Sequence, residues 1–197
     1  LIMNLGRMPK WASANPSAAM NCNGDTYSTG PLKDIRDWRN WVAAAGNRYK
    51  GKIRYWEIWN EPDVSDNNVK CNWSGSAKDL AILTKEAYAI LKKIDPNNQI
   101  ISPSPGILGP LSITEPNYLD SYLKELKALS GTVDIIGYHT YIAEAPESQT
   151  WKYIPDLRSI AQKYGFANTP LWNTESGWLI ADVSASQAAA YVSRAHI

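Results

Sequence analysis

The stretch YWEIWNEPD, residues Tyr55–Asp63, decides how the rest of the chain is interpreted. Aromatic and β-branched residues predict a strand over Ile53–Trp59, and Pro62, which has no N–H to donate, ends it. Glu61 therefore lies where a strand passes into a loop. In a barrel of parallel strands, this edge is where catalytic groups collect.

A second segment, Pro170–Trp178, repeats the order of a short apolar run, a carboxylate and then a glycine. The pattern predicts a strand over Leu171–Thr174 that delivers Glu175 to its carboxyl end. Glu61 and Glu175 are remote in sequence, so only the fold can bring their carboxyl groups together. The pair is the candidate catalytic site, although each glutamate is also open to the simpler interpretation of a solvated charge or a salt-bridge partner.

The composition is that of an ordinary globular protein with an unusual aromatic content. The 197 residues are 44% hydrophobic and 20% charged, and a formal charge of +1 does not indicate a nucleic-acid or membrane partner. The chain has 9 Trp and 11 Tyr but a single Phe. Trp and Tyr combine a flat apolar face with a polar edge, which suits sugars, although most of these rings are expected to fill the core.

Neither end of the sequence resembles a domain boundary. Leu1–Leu5 is typical of a strand already under way and Tyr191–Ile197 of the middle of a helix, so we expect an internal piece of a longer protein. Cys22 and Cys71 lie in stretches rich in Asn, Ser and Gly, hence in loops. They form a disulfide, indicating an oxidising, extracellular setting, if those loops share one edge, and remain two thiols otherwise.

Hydrophobic periodicity predicts a repeated order of strand, loop and helix. Strands are predicted over Leu1–Leu5, Ile53–Trp59, Gln99–Ser102, Val133–Tyr138 and Leu171–Thr174, and helices over about Leu32–Tyr49, Ser76–Ile94, Leu119–Leu129, Ile154–Tyr164 and from the capping-box pattern at Ser184 onward. This alternation predicts an α/β protein with a parallel sheet, either an open doubly wound sheet or a (β/α)8 TIM barrel. Long loops after strands and the lack of a glycine-rich phosphate motif favour the barrel, incomplete here with about five βα units.

Two carboxylates that face each other across a cleft can hydrolyse a glycosidic bond. A separation of roughly 5 Å makes one the nucleophile and the other the acid/base, with retention, whereas roughly 6.5–9.5 Å admits a water and gives inversion. Asn60 can hydrogen-bond a sugar hydroxyl. A hydroxyl donated by Tyr141 to one glutamate would keep that carboxylate ionised and aimed. His139, in the same segment, is more simply a hydrogen-bonded histidine than a metal ligand.

Other kinds of site fit the sequence less well. Glu57 shares the parity of Glu61 but lies deeper in the strand, so we expect it to form a structural ion pair. With two His, no His-x-x-x-His and no paired Cys spacing, neither a metal nor a cofactor is predicted. No Gly-x-Ser-x-Gly supports a Ser nucleophile. Trp38 and Trp41 are expected on the buried face of their helix.

The two motifs resemble those of the clan A glycoside hydrolases. Trp59–Pro62 is similar to the acid/base signature of the clan, and Thr174–Trp178 to its nucleophile strand. The resemblance implies a retaining (β/α)8 enzyme in which Glu61 is the acid/base and Glu175 the nucleophile. Within the clan the chain is most similar to family 39 and its neighbours, which include β-xylosidases, iduronidases and bacterial exopolysaccharide hydrolases.

The resemblance also implies roles for the surrounding residues. Asn60 would bind the 2-hydroxyl, Tyr141 would orient Glu175, and His139 would line the sugar subsite, with Trp178 as a further substrate-binding residue. The similarity runs from the third strand to the seventh helix. Residues 1–197 are therefore expected to form a partial catalytic barrel domain, whose unpaired outer strands are open to self-association.

The sequence thus predicts a secreted, retaining glycosidase that acts on a β-linked polysaccharide or oligosaccharide. Carbohydrate is the expected partner, and neither nucleic acid nor membrane is expected. One alternative is a catalytically incompetent fragment of such a barrel that binds carbohydrate or has a structural role. Another is an inverting enzyme of similar fold.

Overall fold

The computed structural model describes residues 1–17, 27–66, 69–108 and 118–195. The strands are β1 (Ile2–Leu5), β2 (Tyr55–Ile58), β3 (Ser65–Asp66), β4 (Val69–Lys70), β5 (Gln99–Ile101), β6 (Gly106–Leu108), β7 (Ile136–Tyr141) and β8 (Leu171–Gly177). The helices are α1 (Ile35–Arg48), α2 (Ala77–Ile94), α3 (Tyr118–Ala128), α4 (Glu147–Lys152), α5 (Ile154–Lys163) and α6 (Ala185–Arg194). Across these ranges, none of the helices has the length and apolar character needed to cross a membrane.

Apart from the small antiparallel β3–β4 hairpin, the strands are parallel and their spatial order follows the chain. β2 lies between β1 and β5, and β7 lies between β6 and β8. Single parallel bridges, Asn60 to Ser104 and Ile101 to Ile135, connect the two three-stranded groups. A doubly wound sheet reverses its strand order at a switch point, so the observed order argues against that alternative.

β5 and β6 continue one another along a single strand position. β5 pairs with β2, and β6 pairs with β7. Between them lie Pro103 and Pro105, which lack the N–H groups that would extend the ladder. The described chain therefore has five parallel strand positions alternating with helices, which confirms the predicted α/β class, although β6 itself was not predicted.

Two strands are longer at their carboxyl ends than the sequence predicts. β7 ends at Tyr141 rather than Tyr138, and β8 ends at Gly177 rather than Thr174. These added residues are largely polar, but β6 pairs with the end of β7, and β7 with the end of β8, which supplies their backbone hydrogen bonds. Glu175 therefore lies within a strand and not after it.

Side-chain caps fix where the helices begin. The Asp34 carboxylate accepts the backbone N–H of Arg36 at 2.9 Å, so α1 starts later than the predicted Leu32. At α6, Ser184 and Gln187 form the predicted capping box. The hydrophobic pattern locates each helix, and the capping residue sets its first turn.

The core lies between the sheet and helices α1, α2 and α3. Trp56 of β2, Leu91 of α2 and Tyr122 of α3 are fully buried there. Trp38 of α1 is buried as predicted, but Trp41 is 48% exposed, so the prediction for Trp41 is wrong. Three residues turn a helix side chain about 60° away from the first, which carries Trp41 to the margin of the packed face.

Candidate active site

Glu61 is held in an unusual backbone conformation just after β2. Its φ is 40° and that of Trp59 is 65°, in the left-handed region that residues with a Cβ rarely adopt. The Glu61 N–H donates to the carbonyl of Ser104 at 3.1 Å, and the Glu61 carbonyl accepts the Asn72 side chain at 3.1 Å. Strain of this kind collects at functional sites, where the surrounding structure maintains it.

A β-bulge sets the position of Glu175. The register of the β7–β8 ladder shifts after Tyr138, so that Glu175 pairs with His139 and Thr174 is the extra residue. Bulges redirect the side chains around them and are common beside active sites. The Tyr141 hydroxyl donates to Glu175 Oε1 at 2.5 Å, and this bond fixes the orientation of the Glu175 side chain.

The two glutamates meet over His139 at the carboxyl ends of the strands. One side-chain oxygen or nitrogen from each of Glu61, His139 and Glu175 lies within 4.8 Å of the other two. His139 Nδ1 is 3.1 Å from Glu61 Oε1 and 3.8 Å from Glu175 Oε2. The Glu61 side chain is 16% exposed and that of Glu175 is 47% exposed, so solvent reaches the pair from the β8 side.

His139 is fully buried among three carboxylates. Burial disfavours the imidazolium, but the hydrogen bond with Glu61 and the charges of Glu61, Glu57 and Glu175 outweigh it and raise the pKa of His139. Its Nε2 has no hydrogen-bond partner among the described residues and lies 4.0 Å from Glu57 Oε1. A carboxylate therefore lies near each of the two ring nitrogens, Glu57 near Nε2 and Glu61 near Nδ1.

Glu57 lies beneath the pair, deeper in the sheet. The predicted ion pair is present only as the 4.0 Å contact with His139. The closer partners of the Glu57 carboxylate are neutral donors: Ser104 Oγ at 2.5 Å, Thr174 Oγ1 at 2.6 Å and Asn4 Nδ2 at 3.2 Å. Hydroxyl and amide donors therefore compensate for much of the burial of this carboxylate.

Glu61, His139 and Glu175 are also the residues that could hold a metal ion, since carboxylate and imidazole are ligands for several divalent metals. In this structure His139 Nδ1 and Glu61 Oε1 bond to each other. Oε1 of Glu175 accepts the Tyr141 hydroxyl. With these atoms already engaged by groups that carry protons, the arrangement favours proton transfer.

The remaining predicted residues lie at the ends of the same strands. Asn60 pairs with Ser104 in a parallel bridge and is partly buried. Trp178 follows β8, where its indole N–H donates to the carbonyl of Glu144 at 2.8 Å. Its ring packs edge-on against Tyr191, with centroids 5.6 Å apart. Trp178 thus ties the end of β8 to the segment after β7 and to α6.

Asp63, which the sequence patterns did not single out, is buried two residues after Glu61. Its Oδ1 accepts the N–H of Gly106 at 3.0 Å. Burial raises the pKa of Asp63 to about 7, with a further contribution from the charge of Glu61, and the Gly106 bond opposes this. In the sequence, the position of Asp63 directly after the Asn-Glu-Pro motif was the signal that could have marked it as a site residue.

Asp63→Asn is expected to weaken the pH dependence of stability. The pKa of Asp63 is raised from 3.8 to about 7 in the folded protein, so the folded state binds this proton more tightly than the unfolded one. Its contribution is fully present below the unfolded pKa and is lost as the pH rises through the folded pKa. Urea unfolding across that window should show a smaller loss of stability for Asp63→Asn, which keeps the oxygen acceptor for Gly106. If the unfolding free energy falls equally with pH in the wild type and in Asp63→Asn, the raised pKa of Asp63 is contradicted.

Cys71 follows the β3–β4 hairpin and is disulfide-bonded. Cys22, the other cysteine in the sequence, lies outside the described residues. The Cys71 N–H also donates to the carbonyl of Val64 at 2.9 Å. The hairpin is thereby held against the turn that leads away from Glu61, and the alternative of a free thiol is excluded for Cys71.

Known proteins share both sequence features and fold with this chain. A family model described as "Glycosyl hydrolase catalytic core" matches residues 29–195. The structure of the GH39 enzyme from Xanthomonas axonopodis pv. citri matches with a TM-score of 0.63 and 19% identity, over 88% of this chain and 36% of that one. A monomeric beta-xylosidase from Caulobacter crescentus CB15 matches with a TM-score of 0.62 and 17% identity, over 89% and 37%.

A third similar structure is a GH128 endo-beta-1,3-glucanase from Amycolatopsis mediterranei, with a TM-score of 0.54 and 20% identity over 80% of this chain and 61% of that one. None of the curated proteins matches the chain. The chain spans 31% of a glucosidase from Croceicoccus marinus and 37% of the Caulobacter enzyme, about a third of each.

Proposed function

The chain belongs to the glycosyl hydrolase catalytic core family, as its resemblance to clan A glycoside hydrolases predicted, and we propose that Glu61 and Glu175 hydrolyse O-glycosidic bonds. The observation that carries the proposal is the meeting of the two carboxylates over His139, with one atom of each residue within 4.8 Å of the others. The proposed substrate is a β-linked polysaccharide or oligosaccharide, a class supported by the xylosidase and the glucanase among the similar structures.

The spacing supports retention of configuration. A carboxylate separation of roughly 5 Å is that of retaining enzymes, whereas roughly 6.5–9.5 Å leaves room for the water of an inverting one. One oxygen of Glu61 lies within 4.8 Å of one oxygen of Glu175, an approach that is compatible with the shorter, retaining separation. Glu175 then attacks the anomeric carbon while Glu61 protonates the leaving oxygen. Glu61 next deprotonates a water, which hydrolyses the glycosyl ester on Glu175.

The surroundings support this division of roles. Tyr141 donates to Glu175, so the proposed nucleophile is held in a fixed orientation. Glu61 is the more buried of the two and bonds to His139 Nδ1, an atom that donates or accepts according to the tautomer. His139 can therefore bond to Glu61 both before and after Glu61 gives up its proton.

Three further residues are proposed to form the sugar subsite beside the carboxylates. Asn60 is assigned to the 2-hydroxyl, because it directly precedes Glu61 at the end of β2. His139 lines the floor between the two acids. Trp178, at the end of β8, offers an aromatic face to the C–H surface of a sugar ring.

We propose that the five parallel strand positions are part of a (β/α)8 barrel, from its third strand to its seventh helix. The unreversed strand order supports this, as does similarity in fold to much longer glycosidase chains. The candidate site lies where the strands end, which is the catalytic face of such barrels.

The proposal is tested with aryl β-glycosides and with β-1,3-glucan and xylan oligosaccharides. We expect hydrolysis of at least one, with the β-anomer of the product appearing first in proton NMR. Appearance of the α-anomer first would indicate the inverting alternative. Saturable binding in calorimetry, without product after long incubation, would instead identify a carbohydrate-binding fragment.

We propose a secreted, extracellular protein. The disulfide at Cys71 supports this location, because such bonds form and persist in oxidising compartments. An extracellular polysaccharide would also be directly accessible to an enzyme in that setting.

We also propose self-association through the β8–α6 edge. Ile180 is 79% exposed, Leu179 and Val192 are about half exposed, and α6 buries none of its residues. In the part of the chain that the structure describes, β8 has one partner strand. We expect a sedimentation coefficient that rises with concentration, and the double substitution of Ile180 and Val192 by Lys to abolish the rise. The control is Trp11→Lys, on a different exposed surface; a wild type that is monomeric throughout would contradict the proposal.

A further inference from the structure

We propose that Glu57 is a positioning residue for the reaction, because through Thr174 it holds the β-bulge that sets Glu175 opposite His139. The inference rests on the proposed function, in which Glu175 is the nucleophile. Glu57 is 5% exposed and lies beneath the catalytic pair. It is therefore placed to act through other side chains and not to touch the substrate.

The Glu57 carboxylate collects donors from three separate segments. Ser104 Oγ lies 2.5 Å and Thr174 Oγ1 lies 2.6 Å from its Oε1, while Asn4 Nδ2 donates to Oε2 at 3.2 Å. The two hydroxyl oxygens are themselves 3.1 Å apart. A buried carboxylate without a close cation depends on such bonds, so the cluster has a strong preference for this one arrangement.

Thr174 is the residue through which this cluster reaches the site. It is the extra residue of the β7–β8 bulge, so no residue of β7 pairs with it. The bond from its hydroxyl to Glu57 fixes the Thr174 side chain, and this bond joins β8 to β2, which are not neighbouring strands. A one-residue change of register would turn Glu175 to the opposite face, so the anchored bulge determines where the nucleophile points.

β7 leaves room for the cluster by carrying a glycine beside it. A Cβ on Gly137 would lie 2.1 Å from Ser104 Oγ and 3.3 Å from Glu57 Oε1. The backbone of β7 therefore packs closely against Ser104 and the Glu57 carboxylate, where a side chain at this position would clash with the cluster.

Glu57 also reaches Glu61 by way of His139. Glu57 Oε1 is 4.0 Å from His139 Nε2, while Glu61 bonds to Nδ1 of the same ring. The negative charge of Glu57 favours a proton on the buried Nε2, which leaves Nδ1 to face Glu61. Glu175, at 3.8 Å from Nδ1, is the third carboxylate around the ring. One buried charge thus bears on both members of the catalytic pair.

The experiment compares Thr174→Val, Thr174→Ser and Glu57→Gln with a matched control. Thr174→Val keeps the shape and removes the donor, whereas Thr174→Ser keeps the donor. The control, Thr84→Val, makes the same change at a fully buried hydroxyl that bonds to Leu80 and Tyr122 in the helical layer. This control measures how far the loss of a buried hydroxyl affects stability and activity when the residue does not contact the site.

We expect Thr174→Val to lower kcat about 100-fold with little change in KM, as a misplacement of roughly 1 Å can do. Glu57→Gln is also expected to lower kcat. Thr174→Ser should retain most of the wild-type rate, and Thr84→Val should retain it fully. Equal rates for Thr174→Val and Thr84→Val would overturn the inference.

A second measurement does not depend on turnover. The chain has two histidines, so the ring signals of His139 can be followed by NMR once those of His196 are assigned with His196→Gln. Glu57, Glu61 and Glu175 face the ring, and their charges raise the pKa of His139. Glu57→Gln removes one charge and Thr174→Val lets Glu175 move, so both should shift the titration midpoint to lower pH. An unchanged midpoint in Thr174→Val would overturn the inference even if the wild type proved inactive, whereas a shifted midpoint without activity would refute the proposed function alone.

Discussion

Substitution of Glu175 by Ala is expected to lower glycoside hydrolysis by roughly 10⁴-fold or more, because it removes the group that forms the covalent intermediate. Sodium azide should restore turnover, since a small anion can occupy the space vacated by the carboxylate. Azide attacks the same face of the anomeric carbon as Glu175 would and is not displaced afterwards. The product should therefore be the α-glycosyl azide, identified by proton NMR, where the wild type gives the β-sugar.

The matched control for this prediction is Glu86→Ala. Glu86 of α2 forms an ion pair with Arg39 of α1, 2.7 Å away, so its loss tests the effect of removing a carboxylate in the helical layer. The control should hydrolyse substrate at the wild-type rate. Unchanged turnover in Glu175→Ala would remove the nucleophile assignment and with it the double-displacement mechanism.

Substitution of Glu61 by Ala is expected to separate substrates by their leaving groups. For a sugar leaving group, which needs a proton, the rate should fall by about 10²–10⁴-fold, the usual contribution of general acid–base catalysis. Aryl glycosides with acidic phenols leave without that proton, so their bond cleavage should be affected far less. Azide should here give the β-glycosyl azide, because Glu175 still forms the first intermediate.

Glu61→Ala is expected to leave the backbone conformation around residue 61 unchanged. A Cβ at φ 40° meets the same local strain in Ala as in Glu, so the substitution leaves the unusual turn as it was. Thermal unfolding should confirm comparable folding before rates are compared. A uniform loss of activity on both kinds of leaving group would show that Glu61 acts in some way other than as a proton donor.

The strand-to-loop position of Glu61 was predictable from the chain alone. It follows from an aromatic and β-branched run, ended by a proline that lacks an N–H, and from the alternation of strands with amphipathic helices. The same local rules place Glu175 directly after a strand over Leu171–Thr174, although the structure extends that strand to Gly177. They depend on neighbours in sequence, and the order of strands in the sheet then brings the two ends to one side.

The bulge at Thr174 and the burial of Asp63 were not predictable in this way. The extra residue in β8 is stabilised by a hydrogen bond to Glu57, which lies in another strand and more than a hundred residues away. Alternation along a strand predicts the face of the sheet on which each side chain lies. A bulge reverses that face for the residues after it, and no local sequence pattern indicates the bulge. The raised pKa of Asp63 likewise depends on how tightly other segments cover it.

α6 contributes no buried side chain, so little free energy opposes its transient unwinding. Its side-chain attachments include Arg194 to Glu147 and the ring of Tyr191 against Trp178. When α6 opens, Trp178 loses the aromatic neighbour that restrains its indole. The mobility of the ring proposed to contact the sugar is therefore coupled to a helix that buries none of its side chains, and a ligand that orders Trp178 would also slow amide exchange along α6.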